Sequence, residues 1–402
     1  MRVIMANTFH HRRGGDSTYA LSLTQLLESD GHQVIPLAMR HPDNLPSRWD
    51  RWFIPWVDYR QHQANRQRLH QLRHFAFNPT AKRITNSLIR QTQPDILHLQ
   101  NIHHHLTPSI IEPARRASVP VVWTLHDYEL ICPNGLLFRN GRPCLDCKGH
   151  QYFKAVQHRC KRDNLALSTM AAVENTLHHL ARVRDKVDRF LCPSNFLRNT
   201  LIDFGFAPEK VFHQPNFVRA PPLAHRPRKG WLFAGRLTAE KGLRTILSVA
   251  KQLPDHPLTI CGTGPLEAEV RAAAQEMPHI KFVGHLSFPE LQERLQTAAV
   301  IAVPSRWYEN FPYAVLEAQT AGAAVVASRL GGISEQIEDG VDGMLLDPTD
   351  EPQWAVTIAQ LLNEPAKAAA LGINGHARVQ NSLSAQGHLD NIKKHYNDVR
   401  KR

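Results

Sequence analysis

Residues 231–252 read WLFAGRLTAEKGLRTILSVAKQ. The first five form a short apolar run that stops at Gly235-Arg236, and 242–252 carries a helical pattern. Strand, glycine turn and helix make one βα unit, and the same rhythm runs outward from it in both directions. Downstream, 258–261, 280–283, 300–303, 324–327 and 343–346 read as strands, with helices at 289–297 and 313–320. Upstream, 3–6, 34–37, 95–100, 119–125, 189–192 and 210–213 read as strands. After the first of these, Gly14-Gly15 opens an amphipathic helix. Short apolar strands separated by helix-length sequence belong to parallel sheets buried on both faces. Two such sets predict an α/β chain of two Rossmann-like, doubly wound domains that face a central cleft. The chain's 402 residues also exceed what one core holds, since cores stop growing near roughly 250–300 residues. The predicted division is 1–217, with a cysteine-rich insert at 132–160, then 218–376, then a helix within 377–402 that returns to the first domain. Prolines at 215, 221, 222 and 227 mark the linker.

Composition excludes several classes. No run approaches the ~20 apolar residues of a membrane span, and the amino terminus lacks a secretory apolar stretch. A cytoplasmic protein is expected. Of the 48 basic and 36 acidic residues, 28 basic and 17 acidic fall at or before Phe217, so nearly all of the +12 charge sits in the first half. That asymmetry calls for an anionic partner: a membrane surface, a phosphate-bearing substrate or nucleic acid.

The chemistry concentrates after the strands of the second half. Arg236 follows a strand end and Lys241 opens the next helix, so an arginine fork and a lysine point charge are placed where open α/β sheets bind ligands. Cys261-Gly262-Thr263-Gly264 and Val283-Gly284 are strand-to-glycine turns that let backbone approach a ligand. In SRWYENFPYAVLEAQT, 305–320, Glu309 lies before a helix opened by Asn310, Phe311 and Pro312, and Glu317 lies on it. Two carboxylates so placed suit vicinal hydroxyls, although the bare pair also suits a helix dipole and a solvated turn.

Gly14-Gly15, His126-Asp127, Gly235-Arg236-Leu237, Glu240-Lys241-Gly242, Glu309-x7-Glu317 and Gly331-Gly332, in this order, resemble family 4 of the glycosyltransferases. The resemblance covers the chain apart from the cysteine segment. It implies the GT-B fold and a retaining transfer from a nucleotide-sugar donor to a saccharide or lipid-linked acceptor, in surface polysaccharide or glycolipid synthesis. It further implies that Arg236 and Lys241 bind the donor diphosphate, Glu309 the sugar hydroxyls and Glu317 the ribose. Asn310, Phe311 and Pro312 would lie along the donor, Val283 and Gly284 would border the base, Gly15 would approach the phosphates, and His126 would face the sugar. No catalytic metal is expected. An epimerase or phosphorylase on the same fold is the alternative. A nucleic-acid binder would leave the second half's residues unexplained, so no nucleic-acid partner is expected. His103, His104 and His105 follow a strand end and read as lining for acceptor or sugar.

Two segments stand apart. Cys132, Cys144, Cys147 and Cys160, spaced C-x11-C-x2-C-x12-C, suggest a structural zinc site, with an iron–sulfur centre or unligated thiols as alternatives. Trp49, Trp52, Phe53, Trp56 and Tyr59 interleave with Arg48, Arg51 and Arg60. At helical spacing, Trp49, Trp52, Phe53 and Trp56 would share one face, although Ile54-Pro55 interrupts the pattern; the readings are an interfacial strip for peripheral binding to anionic lipid at the inner face of the cell membrane, or an aromatic satellite core under a loop.

Overall fold

The computed structural model of the chain describes residues 1–56, 75–223 and 226–401. Its residues cluster into two units. The first comprises Met1–Leu136, Leu145–Gln214 and Leu389–Arg402, and the second Leu137–Cys144 and Pro215–His388.

In chain order the first strands are β1 Arg2–Ala6, β2 Gln33–Leu37, β3 Ile96–Leu99 and β4 Val121–Thr124, then the two-residue β5 Phe138–Arg139 and β6 Arg142–Pro143, then β7 Arg189–Cys192 and β8 Val211–His213. β5 and β6 pair with each other as an antiparallel hairpin. The rest form one parallel sheet in the order β2-β1-β3-β4-β7-β8. Ile4 sits in register with Ile35 on one side and Leu97 on the other. β3, β4 and β7 are buried at every position, which is why they read as continuous apolar runs. The carboxy-terminal helix Ala385–Arg400 closes this unit: Tyr396 is fully buried, its Oη lies 2.7 Å from His98 Nδ1, and His98 Nε2 lies 2.8 Å from Thr124 Oγ1.

The second unit repeats the plan with β9 Trp231–Ala234, β10 Leu258–Cys261, β11 Ile280–Gly284, β12 Val300–Val303, β13 Ala324–Ser328 and β14 Met344–Leu346, ordered β11-β10-β9-β12-β13-β14 and parallel throughout. Trp231 and Trp354 anchor the core on one face of this sheet. In both sheets the chain reverses direction beside the first strand laid down, β1 and β9, and the carboxyl ends there are where ligands settle in such folds. No helix among the described residues is long and apolar enough to cross a membrane.

The aromatic strip does not form the expected helix face. Asp50–Trp52 is a single 3-10 turn. Pro55 cannot continue a helix, and the chain instead extends β2's pairing: Ile54 N donates to Ala38 O and Arg40 N to Ile54 O, both at 2.8 Å. Phe53 and Ile54 are thereby buried. Trp56 stacks on His105 with ring centroids 5.7 Å apart. Tyr59 and Arg60 lie outside the described residues.

Candidate functional site

At the carboxyl end of β9 the chain turns through Gly235 and Arg236. The Arg236 side chain is 64% exposed, with only a 3.8 Å contact to Glu240, so its guanidinium remains open to solvent. Gly262, after β10, has φ +133°, and a Cβ there would stand 1.9 Å from Gly235 O. No other residue fits that crossing. Gly262 N donates to Gly284 O at 2.7 Å, which joins the turn after β10 to the end of β11. Val283 and Gly284 form the last residues of β11, and Gly284, at φ +69°, has open space where a side chain would be.

Lys241 ends a 3-10 turn, Ala239–Lys241, and reaches Glu309. Its Nζ lies 2.6 Å from Glu309 Oε1, which also accepts from Ser305 Oγ at 2.8 Å. Glu309 is buried. Burial alone would raise its pKa, but the Lys241 ammonium, the hydrogen bond it donates and the Ser305 hydroxyl outweigh that and hold the carboxyl below the usual range. The loop is braced from behind: Gly332 N donates to Glu309 O at 2.8 Å, and Gly331, at φ +57°, passes so close that a Cβ would stand 2.8 Å from that carbonyl. A carboxylate and an ammonium are thus fixed in place before any ligand arrives. Helix Tyr313–Thr320 starts three residues beyond Asn310, with Pro312 at its cap, and carries Glu317 half-buried. Phe311 is positioned differently from the expectation. Its side chain packs inward with Leu316, Val379 and Leu383, and its carbonyl accepts from Asn216 Nδ2 at 3.0 Å. Phe311 therefore anchors the loop.

In the first unit, Gly14 caps helix Gly15–Ser29, where Ser17 Oγ accepts from Gly14 N at 3.1 Å and Arg13 N at 3.2 Å. His126 follows β4. Its Nε2 lies 2.8 Å from Gln100 Oε1 and its ring 5.0 Å from Tyr19. Burial, partly offset by the Asp16 carboxylate, pushes its pKa down to about 4, so the imidazole is neutral at pH 7. The three histidines after β3 part company. His103 Nε2 lies 3.6 Å from Asp127 Oδ1, whose carboxyl is raised by burial. His104 is clamped between Glu129, 2.9 Å from Nε2, and Glu174, 3.0 Å from Nδ1. Burial opposes its charge, yet the two carboxylates prevail and lift its pKa to about 10. His105 is pushed down to about 4 by burial and by the His104 charge beside it. One run of three identical residues therefore holds a cation next to a neutral ring.

Cys132, Cys144, Cys147 and Cys160 do not place three ligand atoms within 4.8 Å of one another. The one group of three metal-ligating side chains with ligand atoms within 4.8 Å of one another, among the described residues, is His11, His41 and Asp43. Cys132 Sγ donates to Asn134 Oδ1 at 2.9 Å, Cys147 is buried with Tyr152 and Ala172, and Cys144 N pairs with Leu137 O in the hairpin. None of the six cysteines is in a disulfide.

Two functional partners escape motif reading. Ser305 stands four residues before Glu309 and is an ordinary serine in sequence. Glu174 has a signal: it is the one acid in helix Leu165–Leu180, LALSTMAAVENTLHHL.

The profile of Glycosyltransferase Family 4 matches residues 13–220, and that of Glycosyl transferases group 1 matches residues 219–378. The chain is 31% identical over 291 residues to D-inositol 3-phosphate glycosyltransferase of Corynebacterium kroppenstedtii, covering 68% of this chain and 61% of that protein. It is 34% identical over 161 residues to a glycogen synthase of Mycobacterium tuberculosis, covering 38% and 39%. The chain thus spans between about two-fifths and three-fifths of these relatives' lengths. The crystal structure of Anabaena HepE in complex with UDP superposes with a TM-score of 0.68 at 15% identity, over 99% of this chain and 100% of that one. The two parallel six-stranded units are those of the GT-B fold.

Proposed function

The chain belongs to Glycosyltransferase Family 4, and from that premise we propose that it is a retaining glycosyltransferase. In this reading it moves a sugar from a nucleotide-sugar donor to a saccharide or lipid-linked acceptor in polysaccharide or glycolipid synthesis. The observation that carries the reading is the ion pair of half-buried Lys241 with buried Glu309, set among glycine turns with Arg236 open beside β9. Such a set suits a nucleoside diphosphate joined to a polyol. HepE's complex with UDP supports a uridine nucleotide as the first donor to try.

The second unit binds the donor. Arg236 and Lys241 neutralise the diphosphate as the anomeric C–O bond breaks and negative charge collects on the leaving group. Glu309 accepts hydrogen bonds from the sugar hydroxyls, and Glu317 from the ribose. The first unit binds the acceptor. Retention follows when the acceptor oxygen attacks from the face the diphosphate leaves, its proton passing to a diphosphate oxygen. His126, neutral at pH 7, then serves as a hydrogen-bonding partner of the sugar. The cations do the neutralising here, so the proposed transfer needs no metal.

The test is a thermal-shift series of nucleoside diphosphates, followed by donor turnover. One diphosphate should raise the melting temperature by several degrees at concentrations well above its Kd. Glu309→Ala should lose most transfer while keeping that shift, because its partner is the sugar. No shift with any nucleoside diphosphate would overturn the reading.

A further inference from the structure

We propose that the outer face of helix Leu165–Leu180, in the first unit, is a docking surface for an anionic lipid bilayer. The helix is inside out. Surface helices of globular proteins turn their apolar stripe inward and their polar residues to water. Here four of the six buried residues are polar: Ser168, Glu174, Asn175 and His178, beside Ala171 and Ala172. Each of three has a partner inside: Ser168 Oγ accepts from Lys161 N at 3.0 Å, Glu174 lies 3.0 Å from His104 Nδ1, and His178 Nε2 lies 2.8 Å from Ala76 O. The large apolar side chains left in water are Leu165, Leu167, Val173, Leu177 and Leu180, the last 70% exposed, and Thr169 and Thr176 are exposed with them.

Ala166, Met170, Val173, Leu177 and Leu180 recur at intervals of four and three, so they form one continuous stripe along the helix. No charged side chain interrupts it, because the helix's sole acid is turned inward to His104. Phe153, on the adjoining short helix Phe153–Gln157, is a further exposed aromatic, 56% accessible. A patch of this kind on a soluble surface marks a contact.

Charge selects the occupant. Arg159 and Arg162 are exposed just before the helix, and Arg182 and Lys186 follow it. The acids Asp163 and Asp185 leave an excess of positive charge at both ends. A second copy of the chain could match the four-three stripe. It would set basic ends against basic ends whether the two helices ran parallel or antiparallel. An anionic bilayer satisfies both features, with leucines entering the interface and arginines at the phosphates. This surface replaces the 49–59 strip as the membrane-facing element. It requires no residue of the second unit, so it stands independently of the donor reading. Because Glu174 and His104 bolt the helix to the loop after β3, docking would hold the strand ends of the first unit near the lipid surface.

The full-length protein is co-sedimented with vesicles of phosphatidylcholine alone and with about 30% phosphatidylglycerol. Binding should be about tenfold stronger to the anionic vesicles and should weaken with salt. Leu177→Gln with Leu180→Gln should reduce it about tenfold on both vesicle types, through lost interfacial burial. Arg159→Glu with Arg162→Glu should abolish the anionic preference alone. Both variants lie on exposed positions, and an unchanged melting temperature and nucleotide shift confirm that they fold. Indifference of the wild type to vesicles, or full binding by the leucine variant, would overturn the proposal. So would a dimer in sedimentation velocity that the leucine variant dissociates, which would assign the stripe to a second copy.

Discussion

Each unit clamps one charged side chain near its strand ends, and the two clamps are built from opposite materials. In the second unit, Lys241 and Glu309 meet one to one at 2.6 Å. Glycines crowd the backbone around them, and Arg236 remains open to solvent. In the first, one imidazole is held by two carboxylates, Glu129 and Glu174, and Glu129 also takes Lys161 at 3.3 Å. A neutral ring adjoins that clamp, His105 against Trp56, and the same unit holds a second, His126 against Tyr19. The first clamp ties helix Leu165–Leu180 to a loop, and its cations are all engaged by its carboxylates. The second has a cation to spare and backbone that a ligand can approach. A buried ion pair can therefore organise structure or prepare recognition, and what decides is whether an uncommitted charge lies beside it.

The comparison can be broken by removing one member of each clamp. Lys241→Ala should lower turnover by about a hundredfold or more, the effect of removing one preorganised donor from a developing charge. It should also strip most of the nucleotide-induced thermal shift. Near-normal turnover in the folded variant would mean that Lys241, like His104, is structural. Glu174→Ala should do the reverse. It leaves His104 with one carboxylate in a site built for two and should cost about 2–3 kcal/mol of stability, read as a lowered melting temperature. Nucleotide binding by the second unit should persist. Loss of nucleotide binding without loss of stability would invert the assignment.

The finest test is the pH dependence of stability. His104 binds its proton more tightly folded than unfolded, so its contribution is complete below about pH 6.5, the unfolded value, and fades as pH rises through about 10. His105 and His126 have the opposite sign. They are neutral when folded, with values near 4, and resist the charging that the unfolded chain accepts. Their contribution holds above about pH 6.5 and is lost as pH falls towards 4. The melting temperature should therefore peak between these windows, and Glu174→Ala should flatten the alkaline limb while leaving the acid limb. An unchanged alkaline limb would show that His104 does not carry that charge.

Reading by position succeeded where a residue's environment is set by its neighbours in sequence. The strand at 231–234 followed by Gly235-Arg236 was visible because a buried parallel strand is a continuous apolar run and a tight turn needs glycine. Lys241 and Glu309 were visible as a motif, while their direct pairing across 68 residues was not. Phe311 illustrates the limit. Its motif placed it along a ligand, and its packing against Val379 and Leu383 placed it in the core. The aromatic strip fails for a related reason. Helical spacing is meaningful only if the segment is helical, and Pro55 with the Ile54–Met39 bridge made it extended.

Sequence alone determined the two parallel α/β sets, the glycine turns at their strand ends and the family resemblance, because periodicity, turn chemistry and ordered motifs are local properties. Only the tertiary structure decided the opposite charge states of the adjacent His104 and His105 and the reversal of helix Leu165–Leu180. Those depend on which carboxylate or apolar surface a side chain meets. Glu174 is drawn inward by His104, 70 positions away, and the leucines of its helix are turned to the outside as a result. An ion pair's energy is fixed by distance and burial in space, and spacing along the chain carries neither.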